Sequence, residues 1–312
     1  MPARFFPHLE KILIPLGKDG ASEALLSFLI CLLKGLPPDL VKTVYLVHVV
    51  SSDALKKASR RDLRLESLFA EKDFLRELYR EYLRREAEPF LAEARERLQA
   101  ALPHLLVKEV ILSGNPPKVL SRFAYEEKCG AEIIARRARS HISELLLGSC
   151  THALVHRPGE HSTYVVGRKF LEAESCRKPR LLVCLDDSPP SWKALEEAAG
   201  LALLWGAQEM VLFHVVDLVP VAQEERAPEG EALLGSAETF LHQAGVEVPI
   251  SRRVAVGEPA EEIVKEAEEG DYDLVFMGHR GRSALEEIFL GSVSERVMHR
   301  LVSPTLVIVT RR

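Results

Sequence analysis

At 312 residues the chain has room for two domains of common size, and 47% hydrophobic with 28% charged side chains is the composition of a globular protein with a sizeable core. The formal net charge of −5 argues against general affinity for a nucleic-acid backbone. The longest apolar run, 24–33, contains Ser27 and falls well short of the roughly 20 residues of a spanning helix, so neither a nucleic-acid partner nor a membrane is expected. Phe5-Phe6-Pro7-His8 leads into Glu10-Lys11 and does not resemble a secretory signal, so a cytoplasmic location is expected.

Along the chain, short runs rich in β-branched residues alternate with stretches of helical periodicity, the pattern of a parallel sheet with crossover helices. In the first half, strands are predicted at 11–16, 43–50, 107–112, 132–136 and 163–166. Between the second and third lies a charged segment, about 53–101, in which Leu75, Leu78, Tyr82, Leu91, Ala94, Leu98 and Ala101 recur at helical spacing. Glu77/Arg80, Glu81/Arg85 and Glu93/Arg97 stand within one turn of each other, and Pro89 is expected to kink or separate two helices. The segment reads as an amphipathic helical insertion with a solvated charged face; the alternative is a docking arm or lid.

Residues 167–178 are charged, lack a clear period and read as a linker. Beyond them, strands are predicted at 180–185, 210–216, 251–256, 273–277 and 305–309, and helices at 191–204, 230–244, 259–268 and 292–301. The expectation is an α/β protein of two tandem doubly wound domains, 1–167 and 179–312. Each would hold a five-stranded, mostly parallel sheet flanked by helices, with the insertion in the first.

The second half restates the first. An offset of 143 takes Gly114-Asn115-Pro116 to Gly257-Glu258-Pro259, Gly148-Ser149 to Gly291-Ser292, and His156-Arg157 to His299-Arg300. Earlier, His48-Val49-Val50 returns as His214-Val215-Val216 at an offset of 166. The first half therefore carries about 23 additional residues.

Five cysteines, Cys31, Cys129, Cys150, Cys176 and Cys184, lack C-x-x-C spacing and read as reduced, largely buried thiols, neither a disulfide frame nor a zinc site. The eleven histidines include no H-E-x-x-H motif. No protein-held metal is expected.

After the apolar run 273–277 come Gly278-His279-Arg280-Gly281, nine residues, and Gly291-Ser292. Glycines admit close backbone approach to an anion, and a helix N-terminus adds unpaired N–H donors and the positive end of its dipole. The spacing resembles the G-2x-G-9x-G-(S/T) motif of the universal stress protein family, which binds ATP. Val183-Cys184-Leu185-Asp186-Asp187-Ser188 resembles that family's V-A-V-D-G-S opening, and His214-Val215-Val216-Asp217 its second-strand ending. This resemblance implies an adenine contact at Asp186, a base contact at Val215, and ribose and phosphate contacts at Met277, Gly278, Gly281, Gly291, Ser292 and Val293. Leu185 and Arg280, beside these positions, complete the candidate binding set; no catalytic residue is assigned.

In the first half the same positions diverge. In the ungapped register Ala135 and Ala138 replace Gly278 and Gly281, and Gly17 replaces Asp186; a two-residue shift would put Arg137 and Ser140 at the glycine positions. The first site is therefore expected to be dead or altered. Its arginines, Arg136, Arg137 and Arg139, read as a solvated turn, with anion capture as the alternative.

The resemblance implies a stress-response protein whose second domain binds ATP, with any Mg2+ held through the phosphates, as a regulatory or signalling module. AMP or another nucleotide remains open. It further implies a pseudo-dimer formed through the last strand of each domain, 163–166 with 305–309, and is compatible with a further homodimer. Catalysis, at most weak ATP hydrolysis by His279 with Asp187, and a scaffold without nucleotide are the alternatives.

Overall fold

The computed structural model describes residues 5, 9–18, 21–51, 72–136, 148–157, 159–171, 176–217, 223–281 and 290–311. The first half runs β1 (Lys11–Pro15), α1 (Ala21–Lys34), β2 (Thr43–Val50), α2 (Lys72–Tyr82), α3 (Glu88–Ala101), β3 (Val107–Ser113), α4 (Pro116–Glu126), β4 (Ala131–Ala135), α5 (Ser149–Val155) and β5 (Ser162–Val166). A short helix α6 (Arg168–Leu171) follows. The second half runs β6 (Arg180–Cys184), α7 (Pro189–Leu201), β7 (Glu209–Asp217), α8 (Gln223–Gln243), β8 (Ile250–Gly257), α9 (Pro259–Glu269), β9 (Leu274–Gly278), α10 (Ser292–Arg300) and β10 (Thr305–Val309).

All ten strands form one sheet in the order β3-β2-β1-β4-β5-β10-β9-β6-β7-β8. Every pairing is parallel except that between β5 and β10, where Tyr164 stands opposite Val307 and Thr163 opposite Ile308. Tyr164 and Val307 are also related by the offset of 143, so a local two-fold axis passes between them. In both central strands all five residues are buried, as nearly continuous apolar runs in a sheet covered on both faces require. One face packs against α1, α3, α7 and α8, the other against α4, α5, α9 and α10.

Helix starts follow local chemistry. Asn115, Ser188 and Glu258 each accept from a backbone N–H three residues on, and each precedes a proline in the first turn, where the missing N–H costs nothing. β4 ends at Ala135 and β9 at Gly278, which selects the ungapped register. Ala138, Arg137, Ser140 and Arg139 lie outside the described residues, as do 52–71 of the insertion and 282–289 of the glycine loop.

The insertion folds as α2, a π-helical stretch Leu83–Ala87, and α3, with Pro89 in the first turn of α3. The widened stretch lies immediately before the proline, which separates the two helices without ending the rod. Leu91, Ala94 and Leu98 are buried. Arg85 pairs with Glu81 at 3.1 Å, whereas Arg97 donates to Ser27 Oγ at 2.9 Å and thereby pins α3 to α1.

Three expectations are corrected. Cys31 and Cys176 form a disulfide, while Cys129, Cys150 and Cys184 are free; no spacing rule links cysteines 145 residues apart, and only the fold brings them together. Arg136 is not solvated: it is 1% exposed, and all three guanidinium nitrogens lack a hydrogen-bond partner. Burial lowers its pKa to about 10, against the opposing pull of Glu268. Third, the stretch read as a linker begins with α6, whose Phe170 meets Phe28 edge-on at 4.9 Å and whose Lys169 N donates to Ser303 O at 2.9 Å.

Buried carboxylates lie where the halves meet and inside the first half. Glu197 on α7, fully buried, accepts from Ser162 Oγ at 2.6 Å, from Tyr164 Oη, and from Arg311 Nη2 at 2.9 Å. Glu132 on β4, equally buried, pairs with buried Arg157. Breaking such a pair from one side leaves an uncompensated charge in a low dielectric. Among the described residues no helix is long and apolar enough to cross a membrane.

Candidate functional site

In an open parallel sheet, ligands collect beyond the carboxyl ends of the strands where the strand order reverses. In the second half that place lies between β6 and β9. A cavity of about 1390 Å³ opens there. Leu185, Asp186, Val215, Met277, Gly278, Arg280, Gly281, Gly291, Ser292 and Val293 all line it, so four separate segments converge on one space.

Its polar end is the start of α10. Gly291, the residue before that helix, has φ −64 and ψ 149 and offers no side-chain cap, so first-turn N–H groups face the cavity with the positive helix end behind them. Gly291 N donates to His279 O at 2.7 Å and buried Ser294 Oγ donates to Gly278 O at 2.8 Å. These bonds join the two ends of the glycine loop.

The glycines also answer to packing within the protein. Neither Gly278 nor Gly281 has a positive φ. A Cβ on Gly278 would lie 2.8 Å from the backbone of Pro190 and Ser191, and one on Gly281 would lie 2.5 Å from Asp186 Oδ2. Glycine here lets α7 and the Asp186 turn close against the loop.

Asp186 shapes that turn. Its Oδ1 accepts from Ser188 N at 3.1 Å and Ser188 Oγ at 2.5 Å, and Ser188 Oγ also reaches Arg280 O at 3.1 Å. Asp187, at φ 63, accepts from Trp192 Nε1 at 3.1 Å. His279 lies outside the lining, with Nδ1 3.2 Å from Val309 O, and is half-buried rather than turned to solvent.

The apolar end contains residues outside the candidate binding set: Trp192, Phe213, His214, Gly230 and Leu233. His214 Nδ1 lies 2.7 Å from Leu185 O and so ties β7 to β6. A Cβ on Gly230 would come within 2.7 Å of the His214 ring, so only glycine lets α8 pass this close. The repeat carried one usable signal, since His48 and His214 occupy equivalent strand ends. Cys184, also in the lining, stays a thiol: burial, then Asp186, drives its pKa well up.

The universal stress protein family model matches residues 8–158 and 179–309. The chain belongs to the universal stress protein family. A universal stress protein of Methanocaldococcus jannaschii is 31% identical over 156 residues, 46% of this chain and 89% of that one. One from Mycobacterium bovis is 28% identical over 213 residues, 65% of this chain and 69% of that one. The crystal structure of a universal stress protein from Archaeoglobus fulgidus superposes with a TM-score of 0.67 at 18% identity, over 97% of this chain and 99% of that one, a likeness of fold. Both halves of the chain are universal stress protein repeats.

Proposed function

We propose that residues 179–312 bind ATP and act as a nucleotide-dependent regulatory or signalling module in a stress response, with residues 1–167 as a structural partner. The observation that carries this reading is the convergence of ten residues from four segments on one cavity with a bare helix N-terminus at one end and an apolar slot at the other. The triphosphate would lie on Gly291, Ser292 and Val293, with Mg2+ held through the phosphates. The base would lie against Leu185 and Val215, within reach of Asp186, with Met277, Gly278 and Gly281 toward the ribose and phosphates. The antiparallel β5/β10 junction supports reading the chain as a pseudo-dimer.

Binding is favoured over hydrolysis because the one base-like pair, His279 with Asp187, is not assembled across the cavity: His279 is engaged with Val309 and Asp187 with Trp192. ATP at 100 times its dissociation constant should stabilise the protein by about 2.7 kcal/mol, read as a rise in melting temperature. Gly281→Val, which drives a side chain into Asp186, should abolish the rise. A parent that does not respond would leave the scaffold reading, and a response surviving Gly281→Val would put ATP elsewhere.

A further inference from the structure

We propose that His152, His156 and Glu295 form a transition-metal site, of the type that takes Zn2+, bridging the two halves of the chain. One ligand atom from each of the three lies within 4.8 Å of the others. His152 on α5 and His156, which caps its C-terminus, are four residues apart, their rings stacked at 4.1 Å and 26°, the spacing at which two imidazoles on one helical face can grip a single ion. Glu295 reaches them from α10 of the other half.

The second observation is the state of His156. Both of its ring nitrogens are buried and have no hydrogen-bond partner. Buried polar atoms without partners are few in folded proteins, and a place for a bound ion is one of their standard causes. An ion held at about 2.0–2.2 Å from each ligand would take up one of those nitrogens and draw the three ligand atoms closer together.

The donor set selects the ion. Two imidazoles and one carboxylate suit Zn2+, Co2+ or Ni2+, whereas Mg2+ and Ca2+ require a shell of oxygens. Three protein ligands leave the fourth tetrahedral position to water. Glu295 does not line the cavity beyond β6 and β9, so this ion is distinct from any Mg2+ carried by a nucleotide.

The repeat explains why the site is asymmetric. The offset of 143 puts Glu295 at the position of His152 and His299 at that of His156, so the two-fold relation between Tyr164 and Val307 also relates α5 and α10. The offset is lost on a search for H-E-x-x-H, which passes over a bare pair of histidines four apart.

The test uses untagged full-length protein stripped with a chelator, titrated with Zn2+ alone by calorimetry and with Co2+ by visible absorption, without nucleotide. The parent should bind one equivalent and show the intense d–d bands of a four-coordinate Co2+ centre. His156→Gln and Glu295→Gln should each weaken Zn2+ binding at least tenfold, and Zn2+ should raise the melting temperature of the parent only. No saturable binding in the parent would overturn the proposal, as would binding unchanged in His156→Gln. Loss in His156→Gln with none in Glu295→Gln would overturn the bridge. The ATP response of Glu295→Gln, measured in parallel, should match the parent, so the two proposals fail separately.

Discussion

The ends of β1 and β6 are the same place in two copies of one fold, and they have opposite fates. His48 Nδ1 meets Leu16 O at 2.9 Å as His214 Nδ1 meets Leu185 O at 2.7 Å, so the tie between the first two strands of each half is preserved. Beyond His214 the cavity opens. Beyond His48 the insertion closes it: Tyr82 Oη stands 3.1 Å from His48 Nε2, Phe90 lies edge-on to its ring at 5.8 Å, and Lys18 pairs with Glu86. A smaller pocket of about 420 Å³ lies there, lined by Gly17, Lys18 and Phe90 among others. Burial holds His48 below the usual histidine range. The lesson is that two copies of one scaffold can keep the same strand tie while the protein's own side chains pack over one strand end and leave the other open.

The comparison can be broken most severely at Glu132. The second half has Val275 at the equivalent strand position, so this buried carboxylate belongs to the first half alone. Glu132→Ala leaves the Arg157 guanidinium buried without its carboxylate and should cost about 3–5 kcal/mol in urea unfolding. Glu132→Val combined with Arg157→Met should recover most of that loss, because two apolar side chains replace the pair at little net cost. If the double variant were as unstable as the single, the pair itself would be what the half requires.

His161 sharpens the contrast by pH. It is buried beside Thr310, and burial, then Arg157, lowers its pKa to about 3; the second half has Pro304 at the equivalent position. A depressed histidine pKa means the unfolded chain binds the proton first. Its stabilising contribution is thus complete above about pH 6.5 and is lost as pH falls toward 3, at up to about 1.4 kcal/mol per pH unit. Unfolding free energy should drop by about 2 kcal/mol between pH 6.5 and 5, ahead of most carboxylates, and His161→Asn should flatten that segment of the curve.

The smallest effect is a swap at one register position. Gly278→Ala forces a Cβ against the backbone of Pro190 and Ser191 and should cost about 1–3 kcal/mol. Ala135→Gly, its mirror, should cost only about 0.5–1 kcal/mol of chain entropy. Equal shifts in melting temperature would mean that the two strand ends are not packed differently.

Much of this was legible in the sequence. The offset of 143 between glycine-proline turns relates three strands and two helices of the first half to those of the second, because turn and cap residues are dictated locally. The ten residues that line the cavity were named in advance from the glycine spacing and from the resemblance at 183–188 and 214–217. What escaped depends on distant neighbours. Cys31 sits in an apolar helix pattern that reads as core, Arg136 is of a type that is usually exposed, and the glycines at 278 and 281 answer to α7 and Asp186, which the loop's own pattern does not reveal. The insertion's periodicity gave its buried residues, Leu91 and Leu98, but not that Tyr82 and Phe90 would reach His48.

Because β5 and β10 are joined within a single polypeptide, dilution cannot part them: each half meets the other at an effective concentration set by the tether, not by how much protein is made. The remaining free strand margins, β3 and β8, carry Lys108 and Glu109 on one side and Arg252 and Arg253 on the other, charges that discourage adding another strand. Every molecule therefore carries one open and one covered slot, in a ratio that synthesis fixes and abundance leaves unchanged.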